Sequence, residues 1–230
     1  MSLTSILPPS PTTVRAKPTH VTVSPKGNQI AYAAGNAIVV RDIDDPHKTK
    51  MYYEHTCATT CARWSPSGHY ICSGDVQGNV RVWGVTNEEF PLKFTARVLS
   101  GAVADIAWTG DSQRIAVVGD GKEKLGAVFM WDAGSSVGEI TGHTKPLLAV
   151  DLRGPRPFRL ATGGEDATVG WFEGPPFKFK RSQKVHTRFV NGVRFSPDGE
   201  LLAVVSSDKK ISVFDGKTGE HKFTKDAHAA

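Results

Sequence analysis

The sequence predicts an all-β chain built from a repeated unit of short strands, and three observations carry that prediction. His143, His186 and His228 recur at intervals of 43 and 42 residues, and His55 lies 88 residues before His143. Four segments end in alternating apolar strands with bulky aromatics: 80–83 on Trp83, 128–131 on Trp131, 169–172 on Phe172 and 211–214 on Phe214. No window carries the long 3.6-residue apolar period of an amphipathic helix. A period of about 40–45 residues with this ending is the signature of a WD-repeat β-propeller blade. The 230 residues supply about five blades at that period. His228 would open one more unit just before the last residue. The expectation is therefore about five blades of an incomplete ring.

The repeats follow in order. Residues 1–52 hold an N-terminal segment and an atypical first repeat, with a turn at 24–27, strands near 30–33 and 37–40, and no closing aromatic. Residues 53–226 hold four clearer repeats. The second opens at His55, turns at Ser65-Pro66-Ser67-Gly68 and closes on Trp83. The third runs through Trp108, turns at 109–111, carries an insertion at 119–126 and closes on Trp131. The fourth spans His143 to Phe172 with an irregular connection at 153–157, and the fifth spans His186 to Phe214. Residues 227–230 read as the start of a truncated sixth repeat. Ser-Pro-x-Gly recurs because proline presets φ at the second turn position while glycine tolerates positive φ as the chain reverses.

Composition excludes several function classes. Lys and Arg number 28 against 23 Asp and Glu, a net charge of +5 spread along the chain. Such a mixed surface needs no polyanion, so no nucleic-acid partner is expected. The N-terminus lacks a basic start and is broken by Pro8, Pro9 and Pro11, and no apolar run reaches membrane length. Three cysteines fit a reducing compartment better than a disulfide framework. The chain reads as cytoplasmic, without membrane contact.

Histidine, hydroxyl, aspartate and tryptophan at fixed offsets imitate a catalytic set. Asp208 follows His186 by 22 residues, Asp166 follows His143 by 23, and Gln77 follows His55 by 22; an aromatic follows each by 6. A catalytic triad occurs once, whereas these sets repeat. They are expected to be buried hydrogen-bond tetrads that satisfy groups costly to bury alone. The structural members are His55, Ser73 and Trp83; His143, Thr162 and Asp166; His186, Ser206 and Asp208. Gln77 in place of Asp, and Phe172 and Phe214 in place of Trp, would leave the tetrads incomplete. Cys57, Cys61 and Cys72 lack the paired spacing of a zinc site, so no metal is expected. The 119–126 insertion lacks the Gly-Lys-Ser/Thr ending of a phosphate loop. A glycosidase on a five-bladed propeller would need carboxylates lining the central channel, and the aspartates instead follow the tetrad spacing. No enzyme activity and no cofactor are expected.

Several stretches exceed a generic repeat: 61–68 with 73–76, 114–119, 126–129, and above all 134–143 (Gly-Ser-Ser-Val-Gly-Glu-Ile-Thr-Gly-His) and 172–180 (Phe-Glu-Gly-Pro-Pro-Phe-Lys-Phe-Lys). Together they resemble the actin-interacting WD-repeat protein family that works with cofilin, over nearly the whole chain. The resemblance implies two tandem seven-bladed propellers in a complete member, of which this chain would be a truncated first third. It implies binding to actin filaments decorated with cofilin, promotion of their disassembly, and no enzymatic activity. It implies an acidic and aromatic filament patch, for which Glu123, Glu165, Phe177 and Phe179 are the matching candidates. Asp166, beside Glu165, has the tetrad spacing and reads as structural. If 173–181 is extended, Phe177 and Phe179 point to one side and Lys178 and Lys180 to the other; packing of either Phe on the next blade is the competing reading. A generic cytosolic WD-repeat scaffold is the alternative function.

Overall fold

A computed structural model describes residues 8–15, 17–87 and 89–227, and in it the chain forms five four-stranded antiparallel sheets. The first blade is β1 (Val21–Val23), β2 (Gln29–Ala34), β3 (Ala37–Asp42) and β4 (Thr49–Tyr52). The second is β5 (Thr59–Trp64), β6 (Tyr70–Asp75), β7 (Asn79–Gly84) and β8 (Leu92–Arg97). The third is β9 (Val103–Trp108), β10 (Arg114–Gly119), β11 (Gly126–Met130) and β12 (Ser136–Glu139). The fourth is β13 (Leu147–Leu152), β14 (Arg159–Gly164), β15 (Val169–Glu173) and β16 (Lys178–Gln183). The fifth is β17 (Val190–Phe195), β18 (Leu201–Ser206), β19 (Lys210–Asp215) and β20 (His221–Asp226). Each is a meander, and β1, β5, β9, β13 and β17 pack on one another in that order along the inside. This is the blade arrangement of a WD-repeat propeller. The sixth-repeat start at His228 lies outside the described residues.

The Ser-Pro-x-Gly turns form as their residues dictate. Gly27, Gly68 and Gly199 have φ of 76°, 75° and 71°. Their amides donate to the carbonyls of Ser24, Ser65 and Ser196 at 2.8, 2.9 and 2.8 Å. Each turn delivers an inner strand to its neighbour in the same sheet.

One strand ending differs from expectation. Phe129, not Trp131, is the register equivalent of Trp83, because Phe129 pairs with Ile115 as Trp83 pairs with Ile71. Trp131 lies beyond the end of β11. Its indole donates to the Ser112 carbonyl at 2.8 Å and its ring sits 4.7 Å from Tyr70 of the preceding blade.

Among the described residues the core consists of five apolar clusters: Tyr32, Ala34 and Val39 form one within the first blade, and each of the other four lies between two successive blades. Ile38 and Tyr52 meet Trp64 and Trp83; Cys72 and Val82 meet Ile106 and Phe129; Val128 and Ile140 meet Leu160 and Phe172; Ala161 and Trp171 meet Val193 and Phe214. Trp83 is fully buried and stacks on Tyr52 at 4.5 Å. Burial of one such side chain contributes about 1.5–3 kcal/mol. Among the described residues no cluster joins the fifth blade to the first.

The two outermost faces are treated differently. Chain preceding β1 crosses the first blade: the Tyr32 hydroxyl donates to the Pro9 carbonyl at 2.8 Å, and the Thr12 amide donates to the Ala33 carbonyl at 2.9 Å. On the fifth blade, Val205 pairs with Ile211, Ala203 with Val213 and Val213 with Phe223, placing them on one face. Val205 and Phe223 are 40% and 49% exposed there.

A carboxylate ties the inner strands together. Asp105 on β9 is fully buried. It accepts from the Arg63 guanidinium of the second blade at 3.0 Å, the Val150 amide of the fourth at 3.2 Å and the Arg194 guanidinium of the fifth at 3.0 Å. His20, just ahead of β1, approaches it at 3.6 Å. Neither Asp105 nor Asp151 follows the tetrad spacing. Both lie on inner strands, where the sequence reading expected no carboxylates.

Candidate functional site

The repeated histidines anchor the loops that any partner would meet. In the second blade His55 Nε2 lies 2.8 Å from Ser73 Oγ, which also accepts from the Trp83 indole at 3.1 Å. The Asp75 carboxylate facing Nδ1 can only accept, so Nδ1 carries the proton of the neutral ring and Nε2 accepts from the Ser73 hydroxyl. That proton faces Asp75 at 3.3 Å. Asp75, and not an Asp replaced by Gln77, is therefore the acid of this set, and the tetrad is complete. Gln77 contributes only its amide, which donates to Asp75 at 2.9 Å. Burial, opposed by Asp75, pushes the His55 pKa down and keeps the ring neutral.

The fourth blade repeats the pattern without the indole. His143 Nε2 lies 2.7 Å from Thr162 Oγ1 and Nδ1 lies 3.0 Å from Asp166, with Phe172 behind. The fifth blade departs further. His186 Nδ1 meets Asp208 at 3.0 Å, but His186 Nε2 has no hydrogen-bond partner among the described residues. Ser206 does not bridge, contrary to expectation: its hydroxyl donates to the Arg188 carbonyl at 3.1 Å. The strand position equivalent to Ser73 and Thr162 is Val204, fourth in β18 as they are fourth in β6 and β14.

These bonds hold loops as well as blades. Asp166 accepts from the Thr144 amide and Asp208 from the Thr187 amide, both at 3.1 Å. The Glu165 amide donates to the Pro146 carbonyl and the Ser207 amide to the Phe189 carbonyl, at 3.0 and 2.9 Å. The loops on this side of the fourth and fifth blades are thus pinned at several backbone points.

The four candidate contact residues fare unequally. Glu123 is exposed on the β10–β11 loop, where the neighbouring Lys122 amide donates to Ser100 Oγ at 2.8 Å. Glu165 is half-buried at the β14–β15 turn. Phe179, on β16, is 39% exposed and rests edge-on against Phe172 at 5.5 Å. Phe177 does not join them. It is 2% exposed within the cluster between the third and fourth blades. The extended reading of 173–181 fails because residues 174–177 form a turn with Phe177 at φ 59°, and β16 starts only at Lys178. Phe177 therefore cannot share a side with Phe179 as a strand neighbour would.

The two motifs at 134–143 and 172–180 prove to be one packing unit. A Cβ at Gly138 would stand 2.2 Å from the Pro176 carbonyl oxygen, and one at Gly142, at φ +87°, would stand 2.4 Å from the Phe179 ring. Glycine at both positions lets the edge of the third blade close on the Pro-Pro-Phe turn and β16 of the fourth.

Sequence reasoning missed Phe189. It is 41% exposed and lines the same cleft of about 850 Å³ as Glu165, between the fourth and fifth blades. Glu123 and Phe179 do not line this cleft. The available signal was its place in the loop after His186, a loop fixed by the tetrad that presents whatever it carries. Among the described residues no group of acidic, histidine and cysteine side chains could hold a metal ion, and no helix is long and apolar enough to cross a membrane.

Comparison with known proteins matches residues 46–84 and 177–215 to the family model for the WD domain, G-beta repeat. The chain is 54% identical over 219 residues to a 66 kDa stress protein of Physarum polycephalum, covering 95% of this chain and 36% of that protein. It is 54% identical over 196 residues to WD repeat-containing protein 1 of Gallus gallus, covering 85% of this chain and 32% of that protein. The Mus musculus protein of the same name is 53% identical over the same length. The chain spans about a third of the length of the curated relatives it matches. The blades, the tetrads and this identity together place the chain in the WD repeat-containing protein 1 family, also named the actin-interacting protein 1 family.

Proposed function

We propose that this chain is a non-enzymatic module that binds actin filaments decorated with cofilin and promotes their disassembly. The observation that carries the reading is the interlocked pair of motifs at 134–143 and 172–180. These segments carry the resemblance to the actin-interacting family, and their packing sets Phe179 at the surface. Glu123, Glu165 and Phe189 are the other accessible acidic and aromatic groups on this reading, and Phe177 is withdrawn from it. Rigid, partly exposed aromatics beside charge are the anchors protein interfaces favour.

The non-enzymatic part of the reading rests on how the reactive-looking groups are used. Ser73 Oγ is bonded to both His55 and Trp83. Thr162 is buried against His143. Of the inner-strand carboxylates, Asp105 is saturated by guanidinium and amide donors, and Asp151 accepts the Phe195 amide at 2.7 Å. Neither is set to act on a sugar. The thiols of Cys57, Cys61 and Cys72 are free, in keeping with a cytoplasmic place at the actin cytoskeleton.

Cosedimentation with actin filaments, with and without cofilin, tests the reading. The 230-residue chain is expected to pellet in a cofilin-dependent way and to lower pelletable actin. Phe189→Ala and Phe179→Ala are each expected to weaken binding about tenfold or more, as truncation of an anchor does. Glu123→Ala and Glu165→Ala are expected to weaken it less. Undiminished binding in all four variants, or no effect of wild type on filaments, would overturn the reading.

A further inference from the structure

The cleft between the fourth and fifth blades holds charge that the described chain does not neutralise. Lys17 reaches it from the segment before β1, Lys145 from the β12–β13 loop, and Lys184 and Arg188 from the β16–β17 loop. None of these four side chains makes an ion pair or hydrogen bond among the described residues. On the acidic side, Asp166 is consumed by His143, the Thr144 amide and Thr168. Glu165 alone offers an uncommitted carboxylate. The cleft is therefore net positive within a surface whose charges are otherwise mixed.

Its walls are also prepared. The Arg188 carbonyl accepts from Ser206 Oγ, the Phe189 carbonyl from the Ser207 amide, and the Thr187 amide donates to Asp208. Cations on a pinned backbone lose little freedom when they bind, and a concave cationic site attracts anions over several ångströms.

We propose that this cleft is a docking groove for an acidic segment of a protein partner. Carboxylates of the segment lie on Lys145, Lys184 and Arg188, and an apolar side chain of the segment lies on Phe189. A continuous phosphate run fits less well, because Glu165 faces the same space; a peptide places a neutral or basic residue there. The inference rests on the filament reading, since Glu165 and Phe189 serve both, and it names the chemistry of the partner element: acidic with an apolar neighbour.

The test uses the full chain and a fluorescein-labelled Asp-Glu-Phe-Asp-Glu peptide, read by anisotropy, with heparin as a non-peptide polyanion. Wild type is expected to bind the peptide, and raising salt from about 50 to about 300 mM is expected to weaken that binding by screening. The double variant Lys184→Glu, Arg188→Glu is expected to lose at least about tenfold in affinity. Lys145→Gln, a single exposed change, replaces the double variant if circular dichroism shows that the latter has unfolded. No peptide binding by wild type, binding unchanged in a folded variant, or binding of heparin but not of the peptide overturns the groove. Filament cosedimentation run in parallel separates the two readings. Filament binding undiminished in the charge-reversed variant overturns the groove and leaves the filament reading intact. Peptide binding without filament binding by wild type does the reverse.

Discussion

At the residue scale, the tetrads make opposite predictions in two blades. Ser73→Ala leaves His55 Nε2 and the Trp83 indole buried without a partner, which costs about 1–3 kcal/mol. Its Tm is expected to fall by about 2–4 °C for each kcal/mol lost. Val204→Thr offers His186 Nε2 the hydroxyl it lacks at nearly constant volume. It is expected to hold or raise Tm, and a fall as large as that of Ser73→Ala would show that Val204 is not the bridging position. A second residue-scale prediction concerns pH. Burial pushes Asp151 up to about 7 from 3.8. The folded chain thus binds that proton more tightly than the unfolded chain. The resulting stabilisation is complete below about pH 4 and is lost as pH rises through about 7. Burial pushes His20, His55 and His143 down, so their slopes run the opposite way. Subtracting the pH profile of Asp151→Asn, which keeps an acceptor for the Phe195 amide, isolates the Asp151 contribution. Denaturant midpoints from pH about 4 to 8 are expected to differ in slope between the two proteins.

At the element scale, the junction of the third and fourth blades joins stability to the proposed surface. Gly142 combines positive φ with a Cβ direction occupied by the Phe179 ring. Gly142→Ala therefore meets backbone strain of about 1–3 kcal/mol and forces the ring to move. Both a lower Tm and weaker filament binding are expected, measured by thermal melt and by cosedimentation on the still-folded variant. Unchanged values in both would mean that the close approach has no consequence.

At the scale of the whole molecule, Asp105 links blades that share no sheet. Its carboxylate meets side chains or amides from the second, fourth and fifth blades. Asp105→Ala leaves Arg63, whose side chain is 18% exposed, without its counter-charge. Breaking a buried pair by removing one partner costs about 3–5 kcal/mol, and the contribution of the more exposed Arg194 is smaller because solvent screens it. A broad or two-step urea transition is expected in place of a single one, since the inner strands would lose their common tie. A single transition of undiminished midpoint would show that the four inter-blade clusters suffice.

Much of this was legible because local rules recur with the period. The Ser-Pro-x-Gly turns, the strand alternation and the histidine spacing are properties of short segments, and they specified five blades before any contact was known. The legible part ended where an assignment required knowing which residue faces which. Asp75 and Gln77 both lie within reach of a blade turn in sequence, and only the β6–β7 register decides that Asp75 meets His55. Ser206 has a plausible spacing, but it sits two positions past the bridging site, at Val204. Phe177 and Phe179 alternate like strand neighbours, yet the 174–177 turn turns one inward. Phe189 and the four cations of the cleft come from three separate segments, so no single window could bring them together. The sequence by itself determined the class of fold, the blade count and the structural use of the histidines, because periodicity and turn chemistry are local. Tertiary structure decided which side chains are buried, which loops share a cleft and where unbalanced charge collects, because those depend on packing between blades distant in the chain.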